Sequence, residues 1–229
     1  MKQLLEKHFG KFWLAAVYLF LYIPLFFMIV FSFNSTRQDA NFTGFSLRWY
    51  EALTKDTKIV EGFWLSVKVA AVTGVLSAIL GTFAAFVLVR YRKFLGRTIF
   101  SGMVNAPLVM PEVVIGLSLL LLMVGAQNAF GWPERGMLTI IMGHTLLGMA
   151  YGMVVIQSRL MEMDRRIEEA AMDLGARPHQ VFFLITLPNI FQGILAAFLL
   201  SFTLSFDDVV ISEFLSGPGV STLPQVIFG

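Results

Sequence analysis

The sequence predicts an all-α protein, a polytopic bundle of transmembrane helices. Apolar residues make up 57% of the 229 residues and charged residues 14%, whereas soluble domains have about 45–50% apolar and about 25% charged residues. A helix needs about 20 mostly apolar residues to cross the hydrocarbon core of a bilayer. Five runs approach or exceed this length, at residues 12–33, 63–89, 98–125, 136–157 and 189–206. We therefore expect five membrane-spanning segments.

The first run is expected to remain in the protein as a membrane anchor. Residues 12–33 are longer than the apolar core of a signal peptide, which has about 7–15 residues. The SFNSTRQDANF stretch that follows lacks the small-x-small pattern of a cleavage site. The other four runs then continue a single transmembrane domain that covers residues 1–229.

Basic residues predict a cytoplasmic N-terminus, because Lys and Arg concentrate in the cytoplasmic loops of membrane proteins. One side of the predicted bundle holds the N-terminal segment, the loop after the second run and the loop before the fifth. Its basic residues are Lys2, Lys7, Lys11, Arg90, Arg92, Lys93, Arg97, Arg159, Arg165, Arg166 and Arg177. The basic residues of the other side are Arg37, Arg48, Lys55, Lys58 and Arg135. The side with the larger number is assigned to the cytoplasm.

Small residues in two of the runs predict where helices pack closely, since Gly and Ala let helix backbones approach each other in a membrane. They are Gly74, Ala78, Gly81 and Ala85 in the second run and Gly148 and Gly152 in the fourth. This pattern favours a packed helical bundle over a β-barrel.

Several classes of function are excluded or disfavoured. The sequence has no Cys, which excludes disulfides and thiolate zinc sites, and its net charge of +2 is too small to suggest nucleic-acid binding. His144 stands alone in the fourth run, without a second His or Cys at ligand spacing. We expect it to be a hydrogen-bonded packing residue, and we expect no metal site. No G-x-x-x-x-G-K-[ST] phosphate loop occurs, so the chain is not expected to hydrolyse ATP.

A short charged segment separates the fourth and fifth runs, and we call residues 158–188 the charged module. Its centre reads EEAAMDLGARPHQVFFLITLP. An apolar stripe at the spacing of one helix face is formed by Ile167, Ala170, Ala171 and Leu174. Gly175 is typical of a helix stop and Pro178 of a helix start. The pattern predicts a helix, a tight turn and a second helix that ends at Pro188.

The charged module has two possible surroundings on physical grounds. An amphipathic helix can rest on lipid headgroups. The apolar stripe, however, is partly alanine, which gives little membrane affinity, and residues 162–173 are net acidic, which anionic lipid would repel. Docking to a protein is therefore favoured over resting on lipid.

The charged module resembles the EAA loop of the permease subunits of bacterial ABC importers. The matching residues are Glu169, Ala170, Ala171, Gly175, Ile185, Leu187 and Pro188. In that family the loop is the coupling helix that docks on the ATPase subunit. The resemblance implies that Glu169, Ala170, Ala171, Asp173, Gly175, Leu187 and Pro188 contact such a subunit, which would bind ATP and Mg, with no cofactor in this chain.

Further segments are similar to polyamine importer permeases. They are YIPLFFMIVFSFNSTR, RWYEAL, APLVMPEVVIGLSLLLL and FTLSFDDVVISEFLSGPG, and GWPERGMLTI resembles the putrescine-type member. The resemblance implies the type I ABC importer permease fold in a bacterial inner membrane. It also implies three partners: a second homologous permease subunit, an ABC ATPase homodimer and a periplasmic substrate-binding protein. That fold has six spans; either this protein has five, or the sequence stops before a sixth.

Four acidic residues are candidates for the pathway of a polyammonium substrate, because carboxylates inside a membrane are costly and usually functional. They are Glu112, Asp207, Asp208 and Glu213. Glu112 follows Pro107 and Pro111 near the middle of the third run, where it would also cap a half-helix. The other three lie at the end of the fifth run, where an exposed helix end or a salt bridge to another subunit is the alternative.

The importer could also carry another cationic or small solute. A self-contained secondary transporter or channel is a further alternative, and the fixed spacing from Gly175 to Pro188 argues against it. A membrane scaffold without transport would not need Glu112 inside the bilayer.

Overall fold

The structure, a computed structural model, describes residues 2–36, 41–91 and 93–229. These residues are mostly helical, and the single isolated β-bridge among them joins Asn34 to Phe45, which confirms the all-α prediction. Two compact units are present, one up to Val60 and one from Glu61 to Gly229. Arg37 and Arg92, which contributed to the predicted orientation, lie outside the described residues.

The first unit contains helices α1 (Lys2–Phe31) and α2 (Arg48–Lys55). The loop between them is organised by the buried side chain of Asn34. Its Oδ1 accepts hydrogen bonds from the backbone N and the Oγ1 of Thr43 at 2.9 and 2.8 Å, and its Nδ2 donates to the Asn41 carbonyl at 3.0 Å. The Trp49 indole N–H donates to the carbonyl of Asn34 at 2.9 Å. The loop is therefore closed by hydrogen bonds to one asparagine.

The second unit is built around helix α6 (Met137–Glu162), which packs against several of the other helices. Helix α3 (Thr57–Arg90) carries the chain into this unit. The other helices are α4 (Arg97–Val109), α5 (Glu112–Phe130), α7 (Arg165–Asp173), α8 (Pro178–Val181), α9 (Leu187–Asn189), α10 (Phe191–Asp207), α11 (Val210–Leu215) and α12 (Leu223–Phe228). A π-helical turn at Phe182–Thr186 joins α8 to α9.

The predicted membrane spans match the helices except at the third and the fifth runs. Four helices are long and apolar enough to cross a membrane: Phe9–Phe31 of α1, and α3, α5 and α6. A fifth span results if α10 is joined to Pro178–Asn189, to which it is bent by 68°. The third predicted run is two helices, because Pro111 lacks an N–H and forces Met110 into an extended conformation at ψ 140°.

Buried apolar residues form two separate clusters in the second unit. The first contains Ala84, Ala85, Leu88, Val104, Met153, Ile156, Leu160, Ile190 and Ala197. The second contains Val69, Ile115, Met123, Ile140, Ile141, Ile211 and Leu215. Each of α3 and α6 contributes to both clusters, so the two clusters lie at different levels along these helices.

Polar side chains lie between the residues of the two apolar clusters. They are found on α3, on α6 and on the segment that runs from α10 to Asp208. We call this set the polar layer; it consists of Thr73, Ser77, His144, Thr145, Ser201, Ser205 and Asp208. Ser201 Oγ donates to the Gly148 carbonyl at 3.0 Å, and Ser77 Oγ donates to the Thr145 carbonyl at 3.5 Å. The hydroxyls thus join α3, α6 and α10 where the apolar clusters do not.

The predicted packing sites of small residues are confirmed. A Cβ on Gly81 would lie 2.9 Å from the backbone N of Met153. A Cβ on Gly148 would lie 3.2 Å from the Cβ of Ser201, and one on Gly74 would lie 3.0 Å from the Phe198 ring. Helix α6 can approach both α3 and α10 this closely because these positions have no side chain.

Candidate functional site

The first helix of the charged module is α7, and local residues fix both of its ends. The Asp164 side chain caps the start by accepting a hydrogen bond from the backbone N of Arg166 at 3.0 Å. At the other end Gly175 has a φ of +90°, a left-handed conformation that favours glycine. Its N–H donates to the Met172 carbonyl at 2.9 Å and that of Ala176 to Ala171 at 3.0 Å. Gly175 therefore stops the helix as predicted.

The apolar stripe of α7 is mostly exposed. Ile167 retains 48% and Leu174 90% of its accessible surface, and Ala170 is also exposed. Glu169 is exposed beside it and pairs with Arg165 at 3.2 Å on the same helix. The surface predicted to dock on a protein is thus available for a partner.

The acid that the structure buries in α7 is Glu168, the residue before the EAA sequence. Its side chain is 8% exposed and its Oε2 lies 2.8 Å from Nε of Arg90, the last residue of α3. Arg90 Nη2 donates a hydrogen bond to Oε1 at 3.0 Å, and Thr186 Oγ1 donates to the same oxygen at 2.7 Å. Glu168 therefore joins α7 to α3 and to the π-helical turn.

The second helix of the charged module differs from the predicted one, because it is interrupted by the π-helical turn and continues through Pro188 to Asn189. In the turn the N–H of Leu187 donates to the Phe182 carbonyl, five residues back. Pro188 has no N–H, and its ring would collide with the carbonyl of Leu184 in a regular helix. The wider turn avoids this collision, so the proline is accommodated within the helical path and the bend follows at Ile190.

Glu112 lies at the break between α4 and α5. It is the first residue of α5 and its side chain is exposed. A carboxylate in the first turn of a helix is stabilised by the helix dipole. The structure thus places the Glu112 carboxylate where the helix dipole stabilises it, without a capping hydrogen bond, and leaves it accessible.

A second break separates α10 from α11, and the side chain of Asp208 makes polar contacts across this break. Its Oδ2 accepts a hydrogen bond from the Ser212 backbone N at 2.9 Å and lies 2.9 Å from Nε2 of His144. The Nδ1 of His144 lies 2.7 Å from Ser205 Oγ, and its Nε2 lies 3.1 Å from Ser212 Oγ. His144 is 4% exposed, which confirms that it is a hydrogen-bonded packing residue.

The three acids at the end of the fifth run have different surroundings. The Asp208 side chain is only 10% exposed, whereas Asp207 and Glu213 are exposed. Glu213 Oε2 accepts a hydrogen bond from Gln225 Nε2 at 3.0 Å. Asp207 and Glu213 are therefore accessible, and Asp208 faces the interior.

The two breaks lie on the same side of the second apolar cluster. Helices α5 and α11 pack against each other, and Ile115 and Ile211 belong to that cluster. Each isoleucine comes three residues after the acid at its break, Glu112 or Asp208. Beyond the helices' far ends, Arg135 Nη2 donates to the carbonyl of Ser216 at 2.8 Å. Helices α5 and α11 thus run in the same direction; α5 begins with Glu112, and Asp208 lies two residues before the start of α11.

Sequence reasoning missed Glu168 and Arg90 as a pair. They are far apart in the chain, and neither stands at a spacing that would link them. The contact of Asp208 with His144 was missed for the same reason, since 64 residues separate them in the chain.

Residues 77–228, more than half of the chain, match the family described as binding-protein-dependent transport system inner membrane component. The chain is 52% identical over 210 residues to the putrescine transport system permease protein PotI of Escherichia coli K12, which covers 91% of this chain and 75% of PotI. It is 36% identical over 217 residues to the spermidine/putrescine transport system permease protein PotC of the same strain, covering 94% and 79%.

Solved structures share the fold. The chain superposes on a chain of the inward-facing MetNI methionine ABC transporter with a TM-score of 0.60 at 19% identity, covering 74% of this chain and 78% of that one. An amino acid ABC transporter gives a TM-score of 0.53 at 18% identity, covering 79% and 78%. The predicted type I permease fold is confirmed, and the chain belongs to the family of binding-protein-dependent transport system inner membrane components, as a multi-pass permease subunit and not an enzyme.

Proposed function

We propose that the chain is the permease of an ATP-driven importer for polyamines, with putrescine the first candidate and spermidine the second. The order follows the identities, 52% to PotI and 36% to PotC. The acids at the helix breaks agree with a cationic substrate. An intramembrane carboxylate is costly in an apolar environment and is usually retained for a charged ligand.

The substrate pathway in this proposal uses Glu112, Asp207 and Glu213, whose side chains are all exposed. Putrescine carries an ammonium group at each end, so acids on two elements can hold it at the same time. Asp208 contributes to the pathway indirectly, because its hydrogen bonds stabilise the break between α10 and α11, next to Asp207. The observation that carries the proposal is the accessible Glu112 at the first position of α5, a candidate membrane span, directly after the break that separates α5 from α4.

The charged module docks on the ATPase subunit in this proposal. An exposed apolar stripe next to the exposed Glu169 offers a surface that a protein groove can cover. Its position on the basic side of the sequence supports a cytoplasmic location for the charged module and for the N-terminus. The ATPase homodimer would bind ATP and Mg there.

The remaining partners follow from the half-pathway that one permease subunit supplies. A second homologous permease completes the pathway in the bacterial inner membrane, and a periplasmic binding protein delivers the polyamine. Membrane lipid covers the outward-facing apolar surface, of which the exposed side chains of α1 from Phe9 to Met28 are a part.

The substrate assignment is tested with the complete transporter in proteoliposomes. Glu112→Gln is expected to lower putrescine uptake by roughly tenfold, the effect of about 1.4 kcal/mol, while the ATPase activity stimulated by the loaded binding protein is retained. Glu134→Gln, at an exposed acid in the loop after α5, is the matched control. Unchanged uptake in Glu112→Gln would reduce Glu112 to a helix cap. An unaltered complex that does not respond to putrescine or spermidine would sink the polyamine assignment.

The docking of the charged module is tested by Glu169→Lys in the same complex. The reversed charge on the exposed surface is expected to abolish co-purification with the ATPase or its stimulated activity. The control is Glu134→Lys, which reverses an exposed acid outside the charged module. A fully assembled and stimulated Glu169→Lys complex would show that this surface does not dock.

A further inference from the structure

A buried cluster at one end of the bundle joins four elements of the chain. Arg90 ends α3, Glu168 lies on α7 and Thr186 ends the π-helical turn. Arg90 also reaches α6, because its Nη1 donates a long hydrogen bond of 3.4 Å to the Leu160 carbonyl. We call Arg90, Glu168 and Thr186 the ion-pair cluster.

The ion-pair cluster is built differently from the other ion pairs of the charged region. Its two charged side chains are 11% and 8% exposed, and Thr186 is 1% exposed. The pairs Arg165–Glu169 and Arg159–Glu162 are all more than half exposed, so water screens them and they constrain little. Separating the two partners of a buried ion pair leaves uncompensated charges in the interior, which costs free energy. A buried pair therefore keeps the elements that carry its partners in a fixed relative position.

The position of Thr186 links the cluster to the start of α10. Leu187 and Pro188 follow it directly, and the chain then bends by 68° into α10. Oε1 of Glu168, which accepts hydrogen bonds from both Arg90 and Thr186, is therefore a direct polar link between α7 and the segment that leads into the bend.

We propose that the ion-pair cluster is the positioning device that makes α7 move as one body with the end of α3 and with the π-helical turn. The proposal rests on the proposed docking of the charged module. In it, the ion pair of Glu168 and Arg90 transmits a displacement of α7 to α10. In this proposal Glu169 contacts the partner subunit, and Glu168 binds α7 to other elements of the same chain.

The test uses the complete transporter and the ratio of polyamine taken up to ATP hydrolysed. Glu168→Gln keeps the shape of the side chain and removes its charge, and it is expected to lower this ratio by roughly tenfold, within the usual range of coupling between sites. Thr186→Val, which removes one hydrogen bond and keeps the ion pair, is expected to have a smaller effect in the same direction. Glu51→Gln, on the exposed Lys55–Glu51 pair outside the charged module, is the control and should leave the ratio unchanged.

A charge exchange separates positioning from simple stability. Arg90→Glu and Glu168→Arg are each expected to lower the ratio, and the double variant should restore much of it. A cavity of about 220 Å³ borders the cluster and leaves room for the exchanged side chains. An unchanged ratio in a fully assembled Glu168→Gln complex would overturn the proposal, and so would a double variant no better than either single one.

A distance measurement keeps the proposal testable whatever the cargo is. The chain has no Cys, so spin labels at Arg166→Cys on α7 and Leu199→Cys on α10 are specific in cysteine-free partner subunits. In the otherwise unaltered chain, we expect the distribution of distances between the two labels to be narrow both with and without ATP. In Glu168→Gln we expect this distribution to be broad. Equal widths would overturn the proposal even if polyamine uptake fails for another reason.

Discussion

Replacing Asp208 with alanine removes three interactions at the break between α10 and α11. The backbone N of Ser212 loses its 2.9 Å acceptor, that of Ile211 loses a weaker one at 3.4 Å, and His144 loses its partner at 2.9 Å. A lost N-terminal cap costs about 1 kcal/mol, and a hydrogen bond to a charged group contributes about 1.5–3 kcal/mol. We expect the free energy of unfolding to fall by about 3 kcal/mol.

The neighbouring residue provides the matched control for this prediction. Asp207 is exposed, and exposed substitutions usually change stability by less than about 0.5 kcal/mol. Asp208→Asn separates the two contributions, because asparagine still caps a helix but loses the charge next to His144. It should lie between the wild type and Asp208→Ala.

The assay is denaturant unfolding of the purified chain in detergent micelles, followed by tryptophan fluorescence. Asp208→Ala, Asp208→Asn and Asp207→Ala are compared at the same detergent concentration. The reasoning is refuted if Asp208→Ala and Asp207→Ala lower the unfolding free energy equally, or if Asp208→Asn is as damaging as Asp208→Ala.

Three further predictions concern other positions. Gly148→Val should lower the unfolding free energy by about 1–3 kcal/mol through overpacking against Ser201, while Gly125→Val, where a Cβ meets nothing within 4 Å, should not; equal effects in the same denaturation assay would contradict this. Gly175→Ala forces a side chain into a φ of +90°, which costs about 1–2 kcal/mol, and should reduce recovery of the assembled transporter by affinity purification, whereas Ala176→Gly should not. Asn34→Ala removes three hydrogen bonds made by a buried side chain and should speed proteolysis between residues 33 and 48, with Thr54→Ala as the exposed control; an unchanged cleavage rate would show that the loop does not depend on Asn34.

The spans could be predicted from the sequence because apolar length alone decides which helices can cross a bilayer. The C-terminal end of α7 was also predictable, since Gly175 acts through its own backbone conformation. The stripe beginning at Ile167 was correct for the same reason: a helical period is a local property. These features need no knowledge of the rest of the chain.

The polar contacts could not be predicted, because they depend on which helices meet. Glu168 and Glu169 are chemically identical neighbours, and only the position of Arg90 decides that the first is buried. Asp207 and Asp208 differ in the same way through His144. The π-helical turn arises from the conflict between Pro188 and a regular helix, and sequence alone does not say whether a helix stops or widens at a proline.

The polar layer between the two apolar clusters has a mechanical consequence. Separating tightly packed apolar side chains opens a void and loses contacts over the whole surface. A hydroxyl can instead exchange one carbonyl acceptor for another by rotating about a single bond. At the level of Ser77 and Ser201, a small displacement of α3, α6 and α10 can therefore be accommodated by a change of hydrogen-bond acceptor, without the opening of a void.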